Sequence, residues 1–448
     1  MAMTRLGSLL FSITKRSVIE QVTTTVCKLT SDFSSMKKPI IILPKDCRIR
    51  ITIILSFLLL GKQTVFGQSD PIPVTFEKKE LSAAFHAEGV AVGDIDRDGT
   101  VDIVSGPYWY QGPAFLDKYE YYPPKSFDKT QEYSDNFVVG IDDVNDDGWN
   151  DILVVGFPGD TAYWYENPKE SQGKTWRRFI IHPSVDNESP VFFDIDRDDR
   201  LELVFHTEGR LGYAASNSNS PTSTWLFYPV SEKFVWGKFT HGLGVGDING
   251  DGAYDLIKND GWWLNPGTRR DTLWQYHQAD FGQGGAQMYA LDIDQDGYRD
   301  ILTSLDAHGY GLAWFRQFRE KDHIGFRQQT IMGSKLQDNP FGVCFSQLHA
   351  ISYADINNDG LSDIITGKRV WTRGPQEGWE PDEPAVLYYF ESRVNKRTGR
   401  VFFLPFIIDG DSGVGTQIAT VDLNADRLVD IVTANKNGVF VFFNKGRP

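Results

Sequence analysis

Seven times along the chain a short apolar or alternating run meets an acidic loop and is followed at once by a more continuous apolar run. Examples are GVAVGDIDRDGTVDIV at residues 89–104 and FVVGIDDVNDDGWNDILVV at 137–155. The alternating run predicts a half-buried strand, and the run that is apolar on both faces predicts a buried one. Two further short apolar runs follow in most units, AYWYENP and then WRRFIIHP in the second. The loops begin at Asp94, Asp143, Asp194, Asp247, Asp292, Asp355 and Asp422, 45 to 67 residues apart. Seven units of four strands predict an all-β chain, a seven-bladed β-propeller with four-stranded blades. VTFEKKEL at 74–81 resembles the fourth strand of a unit but precedes the first loop, whereas the last unit stops after GVFVFFN. The N-terminal strand is therefore expected to complete the last blade and cover its edge.

Residues 1–67 do not follow this pattern. Arg48 and Arg50 precede about ten mostly apolar residues, Ile51 to Leu60, and a small-residue exit at Val65 and Gly67. That is a signal-peptide pattern, too short to span a bilayer comfortably, and Met36 is a plausible true start. The expected organisation is a signal region over 1–67 and one propeller domain over 68–448. The protein would be exported, periplasmic or extracellular, with no stable membrane span after cleavage. Cleavage would remove ten Lys or Arg and three Asp or Glu, taking the net charge from −15 to −22. So acidic a surface repels phosphate and argues against a nucleic-acid partner. Cys344 alone would remain, so no disulfide framework forms within the mature chain.

The loops place oxygen ligands at positions 1, 3, 5 and 9, with glycine at 6 for the sharp turn, the donor set of a hard cation. Calcium is expected on Asp94, Asp96, Asp98 and Asp102; on Asp143, Asn145, Asp147 and Asp151; and on Asp247, Asn249, Asp251 and Asp255. The same holds for Asp292, Asp294, Asp296 and Asp300, and for Asp355, Asn357, Asp359 and Asp363. Asp199 and Arg427 replace the glycine in the third and seventh loops, which are expected to bind weakly or not at all. The loops resemble the FG-GAP repeats of integrin α-subunits and the related VCBS repeats.

Each loop ends the first strand of its blade, so the residues that begin that strand lie at the opposite, channel-mouth face. Six positions before the leading aspartates stand Glu88, Phe137, Glu188, His241, Ala286, His349 and Thr416. His86 shares the side of Glu88. Seven inner strands converging on one axis would bring Glu88, Glu188, His241 and His349 together as a metal or catalytic centre. The turns between second and third strands open on the same face and add Tyr108, Trp109, His206, Trp262, His308, Tyr310, Lys368 and Arg369. Aromatic platforms beside histidines and cations suit a sugar ring and an oxygen substituent.

Around these residues the chain shows a closer resemblance. FHAEGVAVGDIDRDG, FTHGLGVGDINGDG with DGWWLNP, GGAQMYALDIDQDG with AHGYGLAW, SQLHAISYADINNDG with TGKRVW, and GVGTQIATVDLN look like the propeller domain of aldos-2-ulose dehydratase and its bacterial relatives. The resemblance spans about residues 75–445. It implies a catalytic zinc in the central cleft and dehydration of keto-sugars. The fungal enzyme's later isomerisation belongs to cupin domains that have no match here.

Such an elimination needs a Lewis acid on the carbonyl oxygen and a base for the adjacent C–H proton. His241, His349 and Glu88 are the expected ligands of zinc or another divalent cation. His86 is the expected base, with Tyr108, His308 and Tyr310 as further catalytic groups. Trp109, Glu188, His206, Trp262, Gln287, Lys368, Arg369 and Gln417 are the expected contacts to a sugar or oligosaccharide. Two other functions fit the same residues: elimination at a rhamnosyl-glucuronate linkage, with Lys368 and Arg369 on the uronate, and a non-catalytic calcium-braced binding module.

Overall fold

A computed structural model describes residues 72–169, 175–234, 236–267, 272–321, 323–371 and 383–448. The expected signal region lies outside the described residues. Twenty-eight strands run through these residues as four-stranded antiparallel meanders. In the first, Ala91–Gly93, Asp102–Ser105, Tyr108–Tyr110 and Lys118–Glu120 pair in chain order, joined across the acidic loop by Gly93 opposite Asp102. The second strand is buried over its whole length, as its continuous apolar run requires. Side chains of neighbouring sheets interleave: Val104 and Trp109 pack with Ile152 and Val154 in one cluster.

The innermost strands of neighbouring sheets lie side by side, and Ile418–Val421 touches both Ile351–Ala354 and Ala91–Gly93, so the ring closes. Phe76–Ser82 pairs antiparallel with Gly438–Asn444 and forms the outer edge of the last sheet. Five separate four-stranded sheets are present, where seven were expected; the meanders starting at Leu243–Gly246 and Gln287–Leu291 fuse into one eight-stranded sheet. The cause is local. Leu243, Gly244 and Val245 pair in parallel with Gln287, Met288 and Tyr289. A Cβ at Gly244 would strike the Met288 carbonyl and one at Gly246 the Ala290 side chain, so glycine alone allows this approach.

All seven acidic loops share one internal wiring. The carboxylate at position 9 is buried and accepts the backbone N–H of position 2: Asp102 from Ile95 at 2.8 Å, Asp363 from Ile356 at 3.1 Å, Asp430 from Leu423 at 3.0 Å. In six of them it also accepts an N–H from the later part of the third strand or just beyond it, as Asp151 does from Asn167 at 2.8 Å. The leading aspartate accepts the N–H of position 6, glycine or not: Gly99, Asp199 and Arg427 donate to Asp94, Asp194 and Asp422. Asp199 and Arg427 adopt the left-handed conformation of the glycines they replace, φ 65° and 69°. The two departing loops therefore keep the loop geometry at a backbone cost of about 1–3 kcal/mol each. Among the described residues no helix is long and apolar enough to cross a membrane.

Candidate functional site

At the channel mouth three imidazoles from three sheets meet. His241 precedes Leu243–Gly246, His349 precedes Ile351–Ala354, and His308 sits in the turn after Asp300–Ser304, where its N–H donates to Asp306 Oδ1 at 2.9 Å. Ring centroids lie 4.8 Å apart for His241 and His308, 5.3 Å for His241 and His349, and 5.1 Å for His308 and His349, with the rings nearly perpendicular. One nitrogen of each falls within 4.8 Å of the other two. His241 Nε2 and His349 Nε2 are buried and make no hydrogen bond. Burial, the nearby Arg369 guanidinium and the two other imidazoles push the His349 pKa well below its ordinary value, so it is neutral with a free lone pair. Three convergent imidazoles are the donor set of zinc or a similar borderline cation.

Glu188 stands against this cluster, its Oε2 3.3 Å from His241 Nε2 and 3.9 Å from His349 Nε2. Burial alone would raise its pKa, but His241, Arg369 and His308 outweigh that and hold it down to about 2. Arg369 Nη1 donates to Glu188 Oε2 at 3.3 Å and Nη2 donates to Glu88 Oε2. The second Glu88 oxygen accepts from Lys436 Nζ. Lys436 is boxed by the rings of Trp371 at 4.1 Å, Phe85 at 4.6 Å and Tyr133 at 4.7 Å; burial lowers its pKa to about 8 although Glu88 opposes the shift. Glu188, Arg369, Glu88 and Lys436 thus form an unbroken buried chain of alternating charge behind the histidines.

This arrangement corrects several expectations. Glu88 is no metal ligand here, because two cations occupy its oxygens. His308, expected as a further catalytic group outside the ligand set, joins His241 and His349 in the histidine cluster. Lys368 and Arg369 are each 1% exposed, Arg369 spent on the glutamates and Lys368 donating to the Glu383 carbonyl at 3.2 Å. His86 bonds the Lys125 carbonyl through Nδ1 at 2.8 Å and packs edge-on against Tyr108, whose ring lies under Lys118 Nζ at 4.0 Å. Neither belongs to the cluster.

The remaining expected contacts are built into the wall. Trp109 is buried against Tyr119, and Trp262 is stacked on His277 at 4.2 Å. His206 is stacked on Trp236 at 4.5 Å and bonded to Thr240 Oγ1, with its pKa pushed down to about 3 by burial and by Lys258. Gln287 donates to the Thr416 carbonyl and accepts from Ile351 N–H, while Gln417 accepts from Val90 and Val139, so both tie inner strands together across the axis. Tyr310 lines a trench outside the histidine cluster.

The cluster opens into a chamber of about 510 Å³ lined by Glu188, His241, His308, Gln283 and Asp306 and walled by Tyr133, Phe157 and Phe239. Phe157 lies 5.2 Å from Tyr133 and 5.4 Å from Phe239, which is 46% exposed at φ 67°. Phe239 thus holds a bulky side chain at the chamber edge in a sparsely populated backbone conformation. Tyr133, Phe157, Phe239, Gln283, Asp306 and Lys436 had not been expected. Lys436 alone left a signal, since its turn ANKNG occupies the same place as GKRVW.

Residues 143–205, which hold the second and third acidic loops, match the FG-GAP-like repeat family. Among curated proteins none matches the chain. Solved structures of similar fold include an Agrocybe aegerita lectin studied for recognition of non-reducing terminal N-acetylglucosamine (14% identity, 84% of this chain and 92% of that one, TM-score 0.43). The rhamnogalacturonan lyase YesW is 12% identical over 85% and 75% of the two chains, TM-score 0.40. The V. cholerae biofilm matrix protein Bap1 is 12% identical over 80% and 77%, TM-score 0.34.

Proposed function

We propose that the chain is an exported seven-bladed propeller, its eight-stranded sheet counting as two blades, that carries out metal-assisted elimination next to a carbonyl on a carbohydrate. The observation that carries this is the meeting of His241, His308 and His349, two of them with orphaned buried nitrogens, beside a chamber of sugar size. The three imidazoles would hold zinc or another divalent cation. Such an ion supplies a Lewis acid that polarises the substrate oxygen. Glu188, kept ionised by His241, Arg369 and His308, sets a negative charge beside the same two nitrogens and so favours a cation between them. Asp306, whose carboxylate lines the chamber, takes the C–H proton adjacent to the carbonyl. Tyr133, which also lines the chamber, supplies a proton to the oxygen that departs as the C–O bond breaks. In the acidic loops Asp94 Oδ1, Asp294 Oδ1 and Asn357 Oδ1 are buried without a hydrogen bond, which fits bound calcium bracing the opposite end of the blades.

Elimination on a uronate draws no support from the mouth, because its two expected cations are buried and engaged. Metal analysis of the purified protein together with ultraviolet absorbance on 1,5-anhydrofructose and 3-keto-glycosides tests the proposal. One equivalent of zinc, lost in His308→Ala with calcium retained, and a growing enone band are expected. A zinc-free protein that yields no band on any keto-sugar, with calcium still bound, would leave a binding module.

A further inference from the structure

The chamber does not end at the histidines. Gln283 and Asp306, which line it, also line a second trench of about 950 Å³ that runs outward over the eight-stranded sheet toward residues 333–338. The chamber falls within the 300–1,000 Å³ range of small-molecule sites, and the trench adds nearly twice that volume again. Between the two lies a tight turn: Gly282 sits at φ 99°, and a Cβ there would meet the Leu305 carbonyl at 2.9 Å. The trench surface offers hydrogen-bonding groups at close intervals: the Tyr310 hydroxyl, Gln328, Thr330, and the carboxylates of Asp280 and Asp338. Lys335 is the one cation among its lining residues, against Asp280, Asp306 and Asp338.

Resting on the elimination assigned above, we infer that the substrate is a neutral oligosaccharide chain and not a free monosaccharide or a polyuronate. The reacting ring occupies the chamber against the Phe239, Phe157 and Tyr133 wall, and the rings that follow it lie along the trench. Hydroxyls are bound by carboxylates and amides without needing cations, which suits a lining richer in aspartate than in lysine. A polyanion would meet those aspartates on a chain whose net charge is already −15.

The test is calorimetric binding of unmodified cello-, xylo-, manno- and galacto-oligosaccharides of one to five residues, alongside oligogalacturonates of equal length, to the calcium-loaded protein. At least one neutral series should gain tenfold or more in affinity between one and four residues. Tyr310→Ala and Gln328→Ala should each remove most of that gain, while His308→Ala should leave it in place. No length dependence in any neutral series, or tighter binding of oligogalacturonate, overturns the inference. Because the readout is binding and survives loss of the histidine cluster, failure of the elimination chemistry would show separately, in zinc content and enone absorbance.

Discussion

The two ends of each inner strand follow opposite rules. At the loop end every blade repeats the same solution: a leading carboxylate on position 6, a buried carboxylate on position 2, a left-handed turn between them. At the mouth the blades diverge, with Glu, Phe, His, Ala or Thr at the equivalent position, and one chain of charges, Lys436 to Glu88 to Arg369 to Glu188, draws on four of them. Repetition spreads stability over seven equivalent parts, so the loss of one is local. Divergence concentrates it, so the loss of one partner is felt by all.

The largest effect that would sharpen this contrast is Arg369→Met. It leaves Glu88 and Glu188 buried without their shared cation and should destabilise by roughly 3–5 kcal/mol in urea unfolding. A loss under about 1 kcal/mol would break the contrast. Next, Asp102→Asn turns one acceptor oxygen into a donor facing the N–H of Ile95 or Gly112, costing about 1–3 kcal/mol. Asp363→Asn should cost a similar amount, and the double variant should show the two adding. Strong coupling between them would mean that the loops are not independent.

His206 gives a smaller, pH-dependent effect. Its pKa when folded, about 3, lies below the ordinary 6.5, so the unfolded chain binds the extra proton first as the pH falls. Its contribution is complete above pH 6.5 and is lost progressively toward pH 3. The stability gap between wild type and His206→Gln should therefore narrow from pH 7 to pH 4.5 in urea midpoints. The smallest effect is expected at Lys78, whose exposed pairs with Asp409 and Asp411 latch the N-terminal strand. Lys78→Met should change the unfolding free energy by less than ~1 kcal/mol at moderate salt.

The same contrast explains what could be read from the residues alone. The loops were legible because their chemistry is local: nine positions fix ligand spacing, turn and buried staple, and the strands follow from the apolar runs beside them. Even the replacements at Asp199 and Arg427 stood out. The mouth was legible only as a height along the strands. Register placed Glu88, Glu188, His241 and His349 at one level, but which of them face one another depends on partners delivered by distant turns. Arg369 and Lys436 claim Glu88, and His308 takes the place given to it. Hydrophobic periodicity also says nothing about how closely two backbones approach, so the fusion through Gly244 and Gly246 was hidden among ordinary strand glycines. Gln287 and Gln417 looked like substrate contacts because amides suit sugars, yet they suit bare strand edges equally well.

The pairing of Phe76–Ser82 with Gly438–Asn444 also orders events in time. A bond such as Thr75 to the Gly446 carbonyl joins positions 371 apart, and its closure entropy must be met before any neighbouring contact rewards it. Phe76–Ser82 can take its place only after Gly438–Asn444 has been made, so that strand waits without its partner while the intervening sheets form. Once the two strands pair, Phe76–Ser82 shields the edge of Gly438–Asn444, and exposing that edge again requires the whole run of contacts between them to open.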